Sequence, residues 1–516
     1  MVRKVMAGSE KSGIGRRRFL AGGCAAAAGL WAAPGAGRSA GPVGKLRLKV
    51  VYALHAMVQP KPDWPNLGFD FAPVIERINA ALAQAFPEVE FLPVTATGPR
   101  AAERILLEDA FSDIDGYIVY HMNAWKVVAP VLATARKPLL LADFNYAGSG
   151  GFLAFAALFT RTRNRRVGFV SSSDLDDLVA AVKCFERVKT GATSDFAAAT
   201  AQVRRERTPA AGDLSVAPDP VSALDPEECL RELKGSKILA VGPNALTPAV
   251  SYMGVPVKRV SFAELTAAWQ AADRDRAGEV AQGWQRGAEA VEGVFFETLA
   301  DSAAMYVGMK DLLQRHGADA ITVNCLAGFY AGKIPAYPCL GFHELCNEGL
   351  VGACECDVRS TATMLMVKAL TRGRPGYISD PVIDTSQRRI IYAHCVASNR
   401  PFGPAGPRNP YQILTHSEDR KGASVRSLLP AGYLTTTVEF DPRRREVLFH
   451  QAKTVGNDPE DRACRTKLVA EPVGDMEKLF TMWDRWGWHR VTVYGDLKEP
   501  VAALAEAMGY QVVTEA

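Results

Sequence analysis

The chain has 516 residues, 48% hydrophobic and 22% charged, the make-up of a globular protein long enough for two or three domains. Its net charge of +4 sits at the start: Arg3, Lys4, Lys11 and Arg16–Arg18 face only Glu10, leaving the remainder near neutral. That balance excludes a nucleic-acid surface, and past the N-terminus no run reaches the roughly 20 apolar residues of a membrane span.

Arg16-Arg17-Arg18-Phe19-Leu20, the apolar run Ala21–Ala33 and the Pro/Gly/Ala-rich segment 34–44 read as a twin-arginine export signal and linker. Residues 1–44 are therefore expected to be an address. The twin-arginine translocase is the expected partner during export, and the destination is periplasmic or extracellular, without stable membrane insertion. Nine cysteines follow the signal, an odd number without disulfide-framework or zinc spacing, and read mostly as small buried hydrophobes.

From 46 to 160 apolar runs alternate with amphipathic ones: strand Leu46–Leu54, helix Phe71–Phe86, strand Val89–Val94, a helix from Pro99, strand Gly116–His121, a helix from Ala124 and strand Pro138–Leu141. This alternation predicts a parallel, doubly wound sheet. A second α/β unit is predicted from strand Arg166–Ser171 and helix 173–188. It continues through a loop at 202–226, strand Lys237–Val241 with the turn Gly242-Pro243-Asn244, helices 276–292 and 298–316, and strand Ala318–Val323. Gly148-Ser149-Gly150-Gly151 has the composition of a phosphate cradle but not the dinucleotide fingerprint, and reads as a plain turn. After helix 358–371, β-like stretches at Arg388–Val396, Tyr433–Phe440, Glu446–Ala452 and Thr466–Glu471 predict a mostly antiparallel β domain. An α–β–α–β tail closes the chain from Met476 to Thr514. The expected domains are 45–162, 163–350 and 351–516.

Two constellations carry chemistry. Ala353-Cys354-Glu355-Cys356-Asp357 puts two carboxylates at i and i+2 at a strand end, where an extended backbone would face both to one side. Trp488-His489-Arg490 puts an imidazole at the mouth of an apolar strand. Glu355, Asp357 and His489 together offer the oxygen and nitrogen ligands that suit a divalent ion such as Mn²⁺. Asp357 is equally placed to cap the helix that follows it. His121, at the carboxyl end of its strand, stands where a site residue or a satisfied structural histidine would stand. His394 and His416 border loops of the β domain.

The chain resembles the L-fucose isomerase/L-arabinose isomerase superfamily in its shorter fucose-isomerase-like branch. The resemblance runs through Asp319–Cys325, Pro338–Gly349, the acidic Ala353–Asp357 segment, Ala393-His394-Cys395, Leu414–Ser417, Leu429–Gly432 and Gly487–Asp496. It implies two α/β domains and a β-barrel-like C-terminal domain, assembled as trimers or hexamers with a neighbour's first domain over the site. It also implies a Mn²⁺-dependent aldose–ketose isomerase acting on a small-molecule sugar through an enediol, with Glu355 and Asp357 catalytic, Glu355, Asp357 and His489 on the metal, and His394 and His416 toward the sugar; His121 is a further substrate-binding candidate from its place at a strand end. One departure stands out. The family's further acid, expected some twenty to thirty residues before the acidic pair, is missing from Cys325–Pro335. A non-catalytic sugar-binding protein of the same fold, or a metal-dependent lyase or hydrolase on a modified sugar, is therefore the alternative.

Overall fold

The computed structural model describes residues 45–242 and 251–516; the twin-arginine segment and Pro243-Asn244 lie outside them. Five parallel strands form the first sheet: β1 (Leu46–Ala53), β2 (Val89–Ala96), β3 (Gly116–His121), β4 (Leu139–Asp143) and β5 (Val167–Val170), in the order β2-β1-β3-β4-β5. The segment 167–170, expected to open the second unit, is thus the edge of the first. Its four residues are all buried; β4 pairs with one side, and on the other Arg204 Nη1 donates to the Phe169 carbonyl at 2.7 Å. The helix expected from Ala124 is a turn followed by Ala129–Leu132. Part of the expected 202–226 loop is the end of helix Phe196–Arg207, whose first turn is capped by the Asp195 carboxylate accepting from the Ala198 N–H.

The second sheet takes β6 (Ile238–Val241), β7 (Ser251–Tyr252) and β8 (Val255–Val260), while β9 (Ala290–Glu292) leaves it for a small sheet described below. Strands β10 (Ala320–Val323) and β11 (Val351–Cys354) complete it in the order β11-β10-β6-β8-β7. The 21-residue helix Phe296–His316 packs behind this sheet and ends at Gly317, whose φ of 53° supplies the left-handed residue that stops a helix.

The last third is a closed antiparallel barrel. After β12 (Tyr377–Asp384) and β13 (Arg389–His394), strands β14 (Tyr411–Leu414) and β15 (Ser424–Ser427) join β9 in the small sheet. Then β16 (Leu434–Asp441), β17 (Glu446–Asn457), β18 (Thr466–Val473) and β19 (Arg490–Tyr494) close the ring β16-β19-β12-β13-β18-β17 through the β16–β17 ladder. Strand β20 (Gln511–Thr514) lies parallel on β17. The fold is thus two parallel α/β layers followed by an antiparallel barrel, the expected class. One apolar core runs unbroken from the first sheet into the barrel, so the two halves of the chain bury each other.

The barrel holds a buried ionic triad. Arg490 Nη2 donates to Glu515 Oε1 at 2.8 Å, and His450 Nδ1 lies 3.0 Å from Glu515 Oε2, with all three side chains shut off from solvent. Burial alone would raise the Glu515 pKa, but Arg490 and His450 hold it down at about 2. Its contribution is therefore complete above the ordinary carboxylate pKa of about 4.5 and lost as pH falls toward 2. Glu515→Gln strands the Arg490 charge and is expected to cost about 3–5 kcal/mol by urea unfolding at pH 7. The difference from wild type should shrink as the pH is lowered through that window.

Candidate metal centre

The site forms where the second sheet ends against the barrel. Strand β11 stops at Cys354, and the next two residues take left-handed backbone, Glu355 at φ 60° and Cys356 at φ 54°. Such angles cost non-glycine residues about 1–3 kcal/mol each and gather at functional sites. The Cys356 N–H donates back to the Val323 carbonyl at 3.0 Å, which folds the segment over the end of β10. Glu355 and Asp357 therefore leave the chain in different directions, not from one face of an extended strand.

Glu355 points at the barrel. It forms a cluster with Asp380 on β12, His394 at the end of β13 and His489 just before β19, their ligand atoms all within 4.8 Å of one another. His489 Nε2 lies 3.2 Å from Asp380 Oδ1 and 3.6 Å from Glu355 Oε2. His394 Nε2 lies 3.7 Å from Asp380 Oδ2. Asp380 Oδ1 and His394 Nε2 are buried without a hydrogen bond. Two carboxylates and two imidazoles, with orphaned atoms turned to a common centre, fit a divalent cation of the Mn²⁺ type.

Asp357 stands outside the four. Its Oδ1 accepts from the backbone N–H of Arg359 and Ser360 at the start of helix Val358–Leu370, at 3.0 and 3.1 Å. Its Oδ2 takes the His489 Nδ1 proton at 2.9 Å. The residue expected as a ligand is thus placed as cap and as orienter of the imidazole, fixing the tautomer that leaves Nε2 free toward Glu355 and Asp380. Burial pushes the Asp357 pKa up, but His489 and Arg359 overcome it and hold it below the usual carboxylate range. Burial raises Glu355, against the pull of His489.

The other expected residues lie apart from this cluster or join it in a new role. His394, read as substrate-facing, is one of the four. His121 is fully buried, with Nδ1 and Nε2 each 3.0 Å from the carbonyls of Gly148 and Lys126 and its ring against Phe155. His416 packs against the stacked rings of Phe329 and Tyr337, with Nδ1 3.2 Å from Asp419 Oδ1. Burial lowers its pKa, but that contact and nearby charges raise it to about 9. Next to it Glu418 accepts from the Tyr330 hydroxyl at 2.6 Å, and burial lifts its pKa to about 8 despite His416. The Glu355 charge adds to the rise at Glu418, and the Glu418 carbonyl accepts from Leu67 N–H at 2.8 Å, where a first-layer loop reaches the segment between β14 and β15. All nine described cysteines are buried, with the Cys325 and Cys354 sulfurs 3.1 Å apart beside this strand end.

Sequence reasoning missed Asp380. Its strand reads Ser379-Asp380-Pro381, and Asp-Pro is a turn signal while proline demotes a strand. The available signal was an acid set inside the mostly apolar run Tyr377–Ile383.

No family model matches the chain. It is similar to curated proteins named sulfoquinovose isomerase, 23% identical over 219 residues in Priestia aryabhattai and 26% identical over 211 residues in a Clostridium species. The first match covers 42% of this chain and 48% of the relative, the second 40% and 46%. The chain therefore spans about half the length of the curated relatives it matches. A solute-binding protein of an ABC transporter from R. palustris, in complex with 4-hydroxybenzoate, aligns over 83% of this chain and 96% of its own at 11% identity, with a TM-score of 0.20.

The double duty of Asp357 can be separated by stability. Asp357→Ala removes the cap and is expected to cost about 1–2 kcal/mol in urea unfolding, while Asp357→Asn, a comparable cap, should recover most of it.

Proposed function

We propose that the chain is a metal-dependent sugar isomerase that interconverts an aldose and a ketose through an enediol. The observation that carries the reading is the Glu355, Asp380, His394 and His489 cluster, with Asp357 behind His489. The relatives named sulfoquinovose isomerase support the reaction class and make a sulfonated aldose the first substrate to try.

Mn²⁺ or a similar cation in this cluster would polarise the substrate's carbonyl and neighbouring hydroxyl, making the C2 proton easier to remove. Asp380, His394 and His489 would hold it, and Glu355, on a strained and partly exposed turn, would share that task and move the carbon-bound proton between C2 and C1. Glu418, kept protonated and joined to Tyr330, is the proposed donor and acceptor for the oxygen-bound proton. This assignment supplies the acid that the segment 325–335 lacks. His416, whose charge acts on Glu418, is proposed to face the sugar beside it.

The remaining expectations are proposals of the same kind: export by the twin-arginine pathway to the periplasm or beyond, and a trimeric or hexameric assembly. Among the described residues no helix is long and apolar enough to cross a membrane.

Metal content by mass spectrometry tests the centre first. Wild-type protein loaded with Mn²⁺ should retain one ion per chain, and His489→Ala and Asp380→Asn should lose it. Asp357→Asn should weaken binding by about 10- to 100-fold. With a substrate from an aldose panel, Glu355→Gln should lower kcat by about 10²- to 10⁴-fold, and turnover in D₂O should place deuterium at C1 or C2. A wild type that holds no divalent ion would sink the proposal, and sugar binding without turnover would turn it toward a binding protein.

A further inference from the structure

A second cavity, of about 430 Å³, opens between the carboxyl ends of β3–β5 and the outer wall of the barrel. It lies in the size range of small-molecule pockets, about 300–1,000 Å³, and at the edge of a parallel sheet where ligands characteristically bind. None of Glu355, Asp380, His394 and His489 is among its lining residues. On β13 it is lined by Arg389 and Ile391, and on β12 by Asp384, which pairs with Arg389.

Its polar groups fall into two sets. The barrel-side acids are satisfied within the protein. Asp384 accepts from the Ser173 backbone at 3.2 Å and its hydroxyl at 2.6 Å, Asp458 accepts from Tyr146 Oη, and Glu460 accepts from Arg462 at 2.7 Å. The other set is unsatisfied. Asp143 and Asn145, 3% and 7% exposed, each carry an Oδ1 with no hydrogen-bond partner. Among the described residues the side chains of Arg77, exposed, and Arg389, half-buried, both on the wall, have no hydrogen-bond or ion-pair partner in the protein. Burial raises the Asp143 pKa to about 8, so at neutral pH it is a mostly uncharged carboxyl that does not repel an anion.

We infer that this cavity is a binding site for a small hydroxylated organic anion, its anionic group held by Arg77 and Arg389 and its hydroxyls by Asp143 and Asn145. Two unpaired guanidinium forks match a carboxylate, sulfonate or phosphate. The buried acceptors match the hydroxyl donors such a molecule carries. The site takes its ligand independently of the metal centre and of the isomerase reading.

Isothermal titration calorimetry on the full chain tests this with gluconate, glycerol 3-phosphate and isethionate as polyhydroxy or hydroxy anions of three kinds. Glucose, without the anion, and sulfate, without hydroxyls, are the controls. At least one of the three anions should bind more tightly than either control. The Arg77→Gln/Arg389→Gln protein should bind it at least tenfold more weakly, with an unchanged unfolding midpoint. Asn145→Ala should weaken binding as well, and His489→Ala should leave it intact. Equal affinity in the arginine variant, loss of binding in His489→Ala, or no binding of any of the three would overturn the assignment. Sulfate binding as tightly as the best organic anion would reduce the cavity to an adventitious anion site and overturn it too.

Discussion

The structure turns on the cost of placing Glu355, Asp380 and Asp357 together in a buried region. Carboxylates at this range repel each other, and burial penalises each of them further. His489 meets all three, Asp357 through Nδ1 and the other two through Nε2. Burial would keep the imidazole neutral, but the surrounding acids raise its pKa well above the usual range. One proton on one ring cannot balance the whole set, and the unsatisfied atoms of Asp380 and His394 mark where the deficit lies. A divalent cation is the simplest species that removes it.

That demand explains the architecture around the site. Glu355 comes from the second sheet, while Asp380, His394 and His489 come from three segments of the barrel. In the barrel β12 pairs with both β13 and β19, and closure of the ring through β16 and β17 fixes those registers. Register matters because a slip by one residue would send Asp380 to the other face of its strand. The two left-handed residues after β11 then aim Glu355 across the boundary, a local cost that sheet and barrel together impose.

The layers and their order were legible from the period of the apolar residues, since parallel strands buried on both faces read as short apolar runs. Glu355, Asp357 and His489 were legible as chemistry because acids at a strand end and a lone imidazole before another are unusual. Their geometry was not. Asp357 shows why: cap and ligand demand the same residue type, and only the direction of the side chain separates them. Asp380 was hidden behind a proline, and the edge position of Val167–Val170 depends on a pairing that no local pattern encodes. His121 looked like a site residue because it ends a strand, yet its ring is buried with its nitrogens against two loop carbonyls, one of which can accept its single N–H.

The glycine run 148–151 shows how far the site depends on the first layer. A Cβ on Gly148 would sit 1.9 Å from the His121 carbonyl oxygen, and one on Gly151 2.2 Å from that of Ala124. On Gly150 it would sit 2.9 Å from the ring of Trp488. These glycines serve close packing at the buried start of helix Ser149–Arg161, neither as a phosphate cradle nor as a plain turn. Trp488 also meets Trp64 and Trp125 edge-on, with ring centroids 4.9 and 5.7 Å away, and its Nε1 donates to the Pro381 carbonyl at 3.1 Å. One indole therefore ties the first layer to the residue before His489 and the residue after Asp380. The geometry of the centre is set as much by this packing as by its own ligands, because displacing Trp488 would move two of the four together.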